Sequence, residues 1–197
     1  EFAYLRFDEN YKFCGDADHL WRLASFFRFS VRWLTKIVCI VFPLILVGGY
    51  FFLAAKAEQV EWQFAWVVYA VASACVFFYS SFLCFFEGCN SVSLVQSLRL
   101  KISICTSLVL LGGLFCGLHL YALAFSLVAS SMAGFFLLLK RFWKAMQQLW
   151  HLSAKHCYDW WPEFSSLIWR YAISWCSGYF LFQLFPLLYL LFHRYPY

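Results

Sequence analysis

The sequence predicts an all-α fold, a polytopic bundle of transmembrane helices with about five spans, and three observations carry that expectation. Apolar runs long enough to cross a hydrocarbon core of about 30 Å recur along the chain. Hydrophobic residues make up 64% of the 197 positions and charged residues only 13%, against roughly a quarter charged in a soluble domain, so no aqueous exterior can be assembled from this chain. The basic residues, finally, crowd into alternate connections between the runs.

The opening residues 1–32 mix charges with scattered aromatics and approach the membrane from one side. A helical pattern begins near Asp16 or Asp18, either of which can cap it. At 100° per residue, Leu20, Leu23, Phe27, Val31 and Leu34 share one arc, while Arg22, Arg28, Arg32 and Lys36 share its neighbour. The first span is expected over residues 33–55, with Pro43 as a kink. After the hydrophilic stretch KAEQVE, residues 62–86 form the second, with Trp62 and Trp66 as interfacial anchors. The stretch EGCNSVSLVQSLRLK then reads as a loop. Residues 102–139 are apolar for longer than one span needs, and Gly112, Gly113, Gly117 and His119 near the middle divide them into two spans, 102–117 and 119–139, joined by a tight hairpin. A polar, aromatic and basic connection from Lys140 to Arg170 leads to the last span, 171–192. No internal repeat or soluble domain is evident, so residues 1–197 read as one membrane domain.

Orientation follows from Lys and Arg, which are retained on the cytoplasmic side. Arg6, Lys12, Arg22, Arg28, Arg32 and Lys36 precede the first span, Arg99 and Lys101 lie in the second inner connection, and Lys140, Arg141, Lys144, Lys155 and Arg170 in the third. The other side carries only Lys56 and Arg194. The N-terminal segment is therefore expected in the cytoplasm. A net charge of +5 spread in this way is a membrane pattern, and no nucleic-acid partner is expected. Of nine cysteines, Cys39, Cys75, Cys105, Cys116 and Cys176 fall inside apolar runs as small hydrophobes, so a disulfide framework is not expected. His156 beside Cys157 has no second pair at ligand spacing, and neither a metal nor a cofactor is expected.

Each ionisable group near a span is a candidate for function, since charge at membrane depth is costly. Glu87 closes the second span next to Gly88. It reads either as a carboxylate facing a polar cavity, paired with Arg99 or Lys101 or relaying protons, or as an interfacial acid solvated at a helix end. The arc of Arg22, Arg28, Arg32 and Lys36 reads either as an attractor of an anionic headgroup such as pyrophosphate, or as a topogenic anchor to anionic lipid. His119 is expected at the outer turn, where it reads as a hydrated side chain ahead of a proton-coupling group. Trp160, Trp161, Trp169 and Trp175 fit an interfacial belt. No GxSxG, HExxH or Walker sequence is present, nor paired aspartates on one helix face, and no enzymatic activity is expected.

Three stretches in order resemble one family. EFAYLRFDENYKFCGDADHLWRLASFFRFSVRWL resembles the segment joining the second and third membrane helices of bacterial oligosaccharide flippases, the polysaccharide-transporter branch of the multidrug/oligosaccharidyl-lipid/polysaccharide exporter superfamily. FFEGCNSVSLVQSLRLK resembles the end of that family's fourth helix and its cytoplasmic loop, and WPEFSSLIWRYAISWCSGYFLFQLF the start of its seventh. The resemblance implies a transporter of the bacterial inner membrane that moves lipid-linked oligosaccharide, such as an O-antigen or capsule repeat unit on undecaprenyl pyrophosphate, by alternating access. It also implies two six-helix lobes around a cavity; Glu87, Arg22, Arg28, Arg32, Arg99 and Arg170 are, as charged groups near the spans, the substrate or cavity candidates. Membrane lipids and the undecaprenyl-pyrophosphate-linked glycan are the expected partners.

This chain would cover about helices three to seven. Glu1 stands where a methionine would, and the tail PLLYLLFHRYPY departs from the family's continuation, so the expectation is an incomplete lobe. Gly112, Gly113, Gly117, Ser126, Ser130 and Gly134 would then be the small residues awaiting neighbouring helices. The rival reading is a small multi-pass accessory or structural membrane protein. A second rival, a membrane-bound transferase, would show turnover of a lipid-phosphate substrate that is lost on mutating Glu87. Reporter fusions test the topology: those after Leu100 and Lys155 are expected to report the cytoplasm and one after Tyr197 the periplasm, and any reversal overturns the orientation.

Overall fold

A helix is the only open segment that satisfies its own backbone hydrogen bonds in lipid, and helices dominate the computed structural model, which describes residues 6–7, 13–14, 17–54, 62–153, 158 and 160–193. The chain divides into two units, Glu1–Cys157 and Tyr158–Tyr197. In the first, two short strands, β1 (Arg6–Phe7) and β2 (Phe13–Cys14), pair antiparallel with Phe7 opposite Phe13. Four helices follow: α1 (Ala17–Ala54), α2 (Gln63–Gly88), α3 (Val92–Phe115) and α4 (Leu120–Leu152). All four are long and apolar enough to cross a membrane. The second unit holds α5 (Trp161–His193), whose backbone covers the expected fifth span; its side chains at 181 and 183–193, like the stretch KAEQVE, lie outside the described residues.

Side-chain contacts set the directions. Phe27 meets Phe82 and Phe85, Phe42 meets Phe77, and Tyr50 meets Trp62, so α1 and α2 are antiparallel. Tyr79 meets Ser130 and Phe86 meets Phe142, so α2 and α4 are parallel. One end of the bundle therefore gathers the start of α1, the α2–α3 turn and the end of α4, and carries most of the charge. The other gathers the end of α1, the start of α2 and the α3–α4 hairpin. None of the most apolar 18-residue window of α1 is buried, against 39% of that of α4, which makes α4 the central helix and leaves the outer half of α1 to lipid.

Packing changes character along the bundle. Towards the hairpin end the buried residues are mostly small: Ala65, Ala70, Ala72, Ala122, Ala124 and Ser126. Such residues let helix backbones approach where lipid removes the hydrophobic drive to associate. Gly113 lies so close to α4 that a Cβ there would stand 2.9 Å from the Ala122 Cβ. Towards the charged end, large side chains close a core of Phe13, Leu23, Phe27, Phe82, Leu83, Phe86, Val95, Leu98, Leu138, Phe142 and Leu149. Phe86 and Phe142 stack with centroids 4.1 Å apart and planes at 13°. The Gln148 amide closes the edge, accepting from the Phe13 N–H at 2.9 Å and donating to the Phe13 carbonyl at 3.0 Å, as a paired strand would.

Several expectations change. The stretch 87–101 is not a loop: only Cys89, Asn90 and Ser91 separate α2 from α3, with Asn90 in the left-handed region at φ 63° reversing the chain. Val95, Leu98 and Ile102 recur at helical spacing and are buried, which draws the stretch into α3. Likewise α4 runs on through the basic run to Leu152, because Phe142, Ala145 and Leu149 form a buried stripe while Lys140, Trp143 and Lys144 lie exposed on the remaining surface. Helix α1 continues through Pro43. Trp66 serves the bundle, donating its indole N–H to the Leu46 carbonyl at 3.1 Å and filling the space beside Gly49. The hairpin falls at residues 116–119, with Gly117 and His119 at positive φ. Of the small residues assigned to absent neighbours, Ser126, Ser130 and Gly134 are buried within this bundle and Gly113 packs on Ala122; Gly112 and Gly117 face open space.

A Cβ on Gly134 would lie 2.6 Å from the ring of Tyr79. That ring cannot swing away, because it is buried and its hydroxyl is bonded to Ser130 at 3.0 Å. Gly134→Ala is therefore expected to destabilise the bundle by about 1–3 kcal/mol, and Gly112→Ala, in open space, to change stability by less than about 0.5 kcal/mol. Unfolding in graded sodium dodecyl sulfate, followed by tryptophan fluorescence, measures both; equal stability of the two variants would refute the Tyr79 contact.

Candidate functional site

One face of α2 sets the geometry. Tyr69, Ser73, Val76, Phe77, Ser80 and Cys84 recur at intervals of three and four residues, so they form one stripe about 22 Å long. With Ser81, Phe42 of α1 and Leu127 of α4 they line a groove of about 660 Å³. Hydroxyls at membrane depth either return a hydrogen bond to their own helix or face protein or a cavity. Ser81 returns its hydroxyl to the Phe77 carbonyl at 2.9 Å. Aromatic faces beside hydroxyls suit a ligand that is itself part apolar and part hydroxylated, such as a sugar ring.

At the charged end the groove meets a clamp. Arg99 Nη2 stands 2.8 Å from Glu87 Oε2 and also donates to the Cys84 sulfur at 3.3 Å. Gln96 donates to the other Glu87 oxygen at 2.8 Å. The spacing explains the arrangement: Gln96 and Arg99 stand three residues apart on one face of α3, and the three-residue turn carries that face back past the end of α2. Of the two partners open to Glu87, the structure pairs it with Arg99, while Lys101 faces a different pocket. Both side chains of the ion pair are partly exposed, so its contribution to stability is small, about 0–1 kcal/mol. Its value is positional, since it holds a charge of each sign at one end of a hydroxyl-lined path.

The remaining sequence candidates are dispersed. Arg28 turns inward: its Nη1 donates to the Ser153 carbonyl at 3.1 Å and its guanidinium lies 5.9 Å from the centroid of the Trp150 ring. A cation at the carbonyl end of α4 is electrostatically favourable. Arg22, Arg32 and Lys36 are exposed on α1. Arg170 is exposed on α5, in the second unit, where the Tyr158 hydroxyl donates to Glu163 at 2.8 Å. His119 is exposed at its turn. Among the described residues no group of three His, Cys, Asp or Glu side chains is placed to hold a metal, and the described cysteines are free. The groove itself escaped sequence reasoning, because serine barely alters hydropathy; the spacing of Tyr69, Ser73, Ser80 and Cys84 was the signal that could have revealed it.

These features define an all-α protein, helical apart from the short β1–β2 pair, with several helices compatible with multiple membrane crossings. Comparison with protein-family models, curated proteins and solved structures finds no match to the chain.

Burial pushes the thiol of Cys89, in the turn beside the clamp, up to about 12. The thiolate is the nucleophile, so a group with a raised value stays protonated and inert until the pH approaches that value. Membrane-permeant maleimide is expected to leave Cys89 unmodified between pH 7 and about 9, and to label it readily after denaturation. Peptide mass spectrometry reads the result, and rapid labelling of Cys89 in the folded chain at pH 8 would contradict the buried turn.

Proposed function

We propose that this protein belongs to a transporter of the bacterial inner membrane that moves lipid-linked oligosaccharide, an O-antigen or capsule repeat unit on undecaprenyl pyrophosphate, with its N-terminal segment in the cytoplasm. The ordered resemblance of three stretches to oligosaccharide flippases names the cargo. The geometric observation that supports it is the hydroxyl and aromatic groove along α2, ending at Glu87 and Arg99. A polar glycan crossing a bilayer needs hydrogen-bonding groups at membrane depth to replace water. A lipid carrier needs a path open laterally to the acyl chains, which a groove beside the exposed outer half of α1 supplies. Charge at the groove's end suits a step that makes and breaks an ion pair as access alternates.

On this reading Glu87 and Arg99 form a latch rather than a catalytic group, and the protein carries out transport without covalent chemistry. In cells that depend on this protein for surface glycan, Glu87→Gln is expected to lower surface glycan several-fold with membrane levels of the protein unchanged, because the neutral amide leaves Arg99 uncompensated. Ser80→Leu, which replaces a groove hydroxyl by a bulky apolar side chain, is expected to act in the same direction. Surface polysaccharide staining and the amount of undecaprenyl-linked glycan retained in the membrane are the readouts. Parental export by both variants would remove the groove and its latch from the mechanism.

A further inference from the structure

A second cavity opens at the hairpin end, between the last turn of α1 and the first turns of α2 and α4. It holds about 360 Å³ and shares Tyr69 with the groove and no other described residue. Helix α2 contributes Trp62 and Trp66, α1 contributes Leu53, and α4 contributes Leu120 and Leu123. Ala65 and Ala124 are almost fully buried and too small to fill the space between their helices. Both indoles are fixed. Trp62 packs on Tyr50 of α1 with ring centroids 5.2 Å apart. Trp66 donates to the Leu46 carbonyl, lies beside Gly49 and stacks on Tyr69 with planes at 15°. The cavity is therefore built into the packed helices, since neither ring is free to turn and close it.

Its chemistry is that of hydrocarbon. None of the described lining residues carries a charge, and the Trp66 N–H is already committed to Leu46. Among the described lining side chains only the Trp62 N–H and the Tyr69 hydroxyl remain as polar groups, too few to hold a phosphate or a sugar. A buried water needs about two to four polar partners, and an empty cavity forfeits dispersion contacts along its walls. A hydrocarbon chain has neither difficulty. The volume lies at the low end of the roughly 300–1,000 Å³ of small-ligand sites, which suits one chain.

Depth names the source of that chain. Gln63 and His119, both exposed, mark this end of the bundle. Glu87 follows Gln63 by 24 residues, about 36 Å along α2, somewhat more than a hydrocarbon core of about 30 Å. Trp62, Trp66 and Tyr69 cover the first two turns of α2, about 10 Å, and Leu120 and Leu123 the first turn of α4. Tryptophan and tyrosine gather at this level of a bilayer. The cavity thus lies just beneath the headgroups, beside the first carbons of acyl chains from the leaflet on the hairpin side.

We infer that this cavity holds the upper part of one acyl chain of a glycerophospholipid from that leaflet, between the two indoles, Leu53 and Leu123. The chain ties the otherwise exposed end of α1 to α2 and α4. The inference is independent of the transport reading, since it requires only that the helices cross a bilayer.

The test places the whole chain in vesicles of phosphatidylethanolamine and phosphatidylglycerol with a trace of phospholipid carrying a diazirine near the ester end of one acyl chain. After irradiation, peptide mass spectrometry counts the adducts. Leu111 and Leu114 of α3 lie at similar depth and are each 52% exposed, against 42% for Leu120 and 47% for Leu123, so passing lipid labels both sets alike. Adducts at Leu53, Leu120 and Leu123 are expected to exceed those at Leu111 and Leu114 several-fold, whether the probe has a choline or a glycerol headgroup. Leu123→Trp, which fills the cavity, is expected to bring Leu53 and Leu120 down to the level of Leu114, whereas Leu111→Trp leaves them high. Circular dichroism confirms the fold, and if Leu123→Trp is unfolded, Leu120→Phe must lower the Leu53 adducts several-fold. Equal labelling of the two sets reduces the site to passing contact with bulk lipid and overturns it, as does unchanged labelling in the filled variant. Labelling confined to one headgroup, or stronger from a diazirine at the methyl end of the chain, would refute an acyl chain from that leaflet.

Discussion

The stacking of Phe86 on Phe142 anchors the rest of the bundle. In lipid each helix satisfies its own backbone, and apolar side chains gain little by leaving acyl chains for one another. Association must come from close packing, or from a region where water supplies the missing drive. Both are used here at different levels. Near the hairpin, alanines, serines and Gly113 let α2, α3 and α4 approach closely. Towards the charged end, where α1 and α4 outlast the hydrocarbon, large aromatic and aliphatic residues close on Phe86 and Phe142. An aromatic pair of this kind adds about 0.5–1.5 kcal/mol beyond its buried area. The parallel pairing of α2 and α4 follows from it, as does the reach of Gln148 to the backbone of Phe13.

The same anchor fixes the candidate sites. Glu87 follows Phe86 directly, so immobilising the ring also sets where the carboxylate projects. Arg99 and Gln96 reach it because Val95 and Leu98, their neighbours on α3, are locked into the same core. Charged groups thus sit beside an apolar core that holds them with little help from their own ion pair. The groove along α2 runs towards the hairpin half, where Tyr69 and Phe77 remain exposed.

Much of the fold was legible from residue order. The hairpin at 116–119 announced itself through an apolar run too long for one crossing, broken by glycines. The start of α1 was marked by the onset of a helical period, although Asp18 lies inside the helix rather than at its cap and Asp16 lies outside the described residues. The misplaced loops share one cause. Basic and polar residues at 87–101 and 140–152 look like connections when hydropathy is averaged, yet Val95, Leu98 and Ile102, and Phe142, Ala145 and Leu149, keep the helical period beneath them. Outside the hydrocarbon a helix needs only one apolar face.

By itself the sequence determined the class of the protein, because the amount of apolar surface, the length of each run and the alternation of basic residues are properties of residue order and of the bilayer that must receive them. Tertiary structure alone decided which side chains became partners. Serine and glycine carry no label for the helix they will face, so Ser130 and Gly134, expected to await absent neighbours, were claimed by Tyr79 within the bundle. Arginines equivalent in sequence were separated likewise: Arg28 went to the end of α4, Arg99 to Glu87, and Arg32 to the exposed surface. The physical reason is that helix formation in lipid is a local property of the backbone, whereas pairing between helices depends on rotations and offsets that only the packed bundle sets.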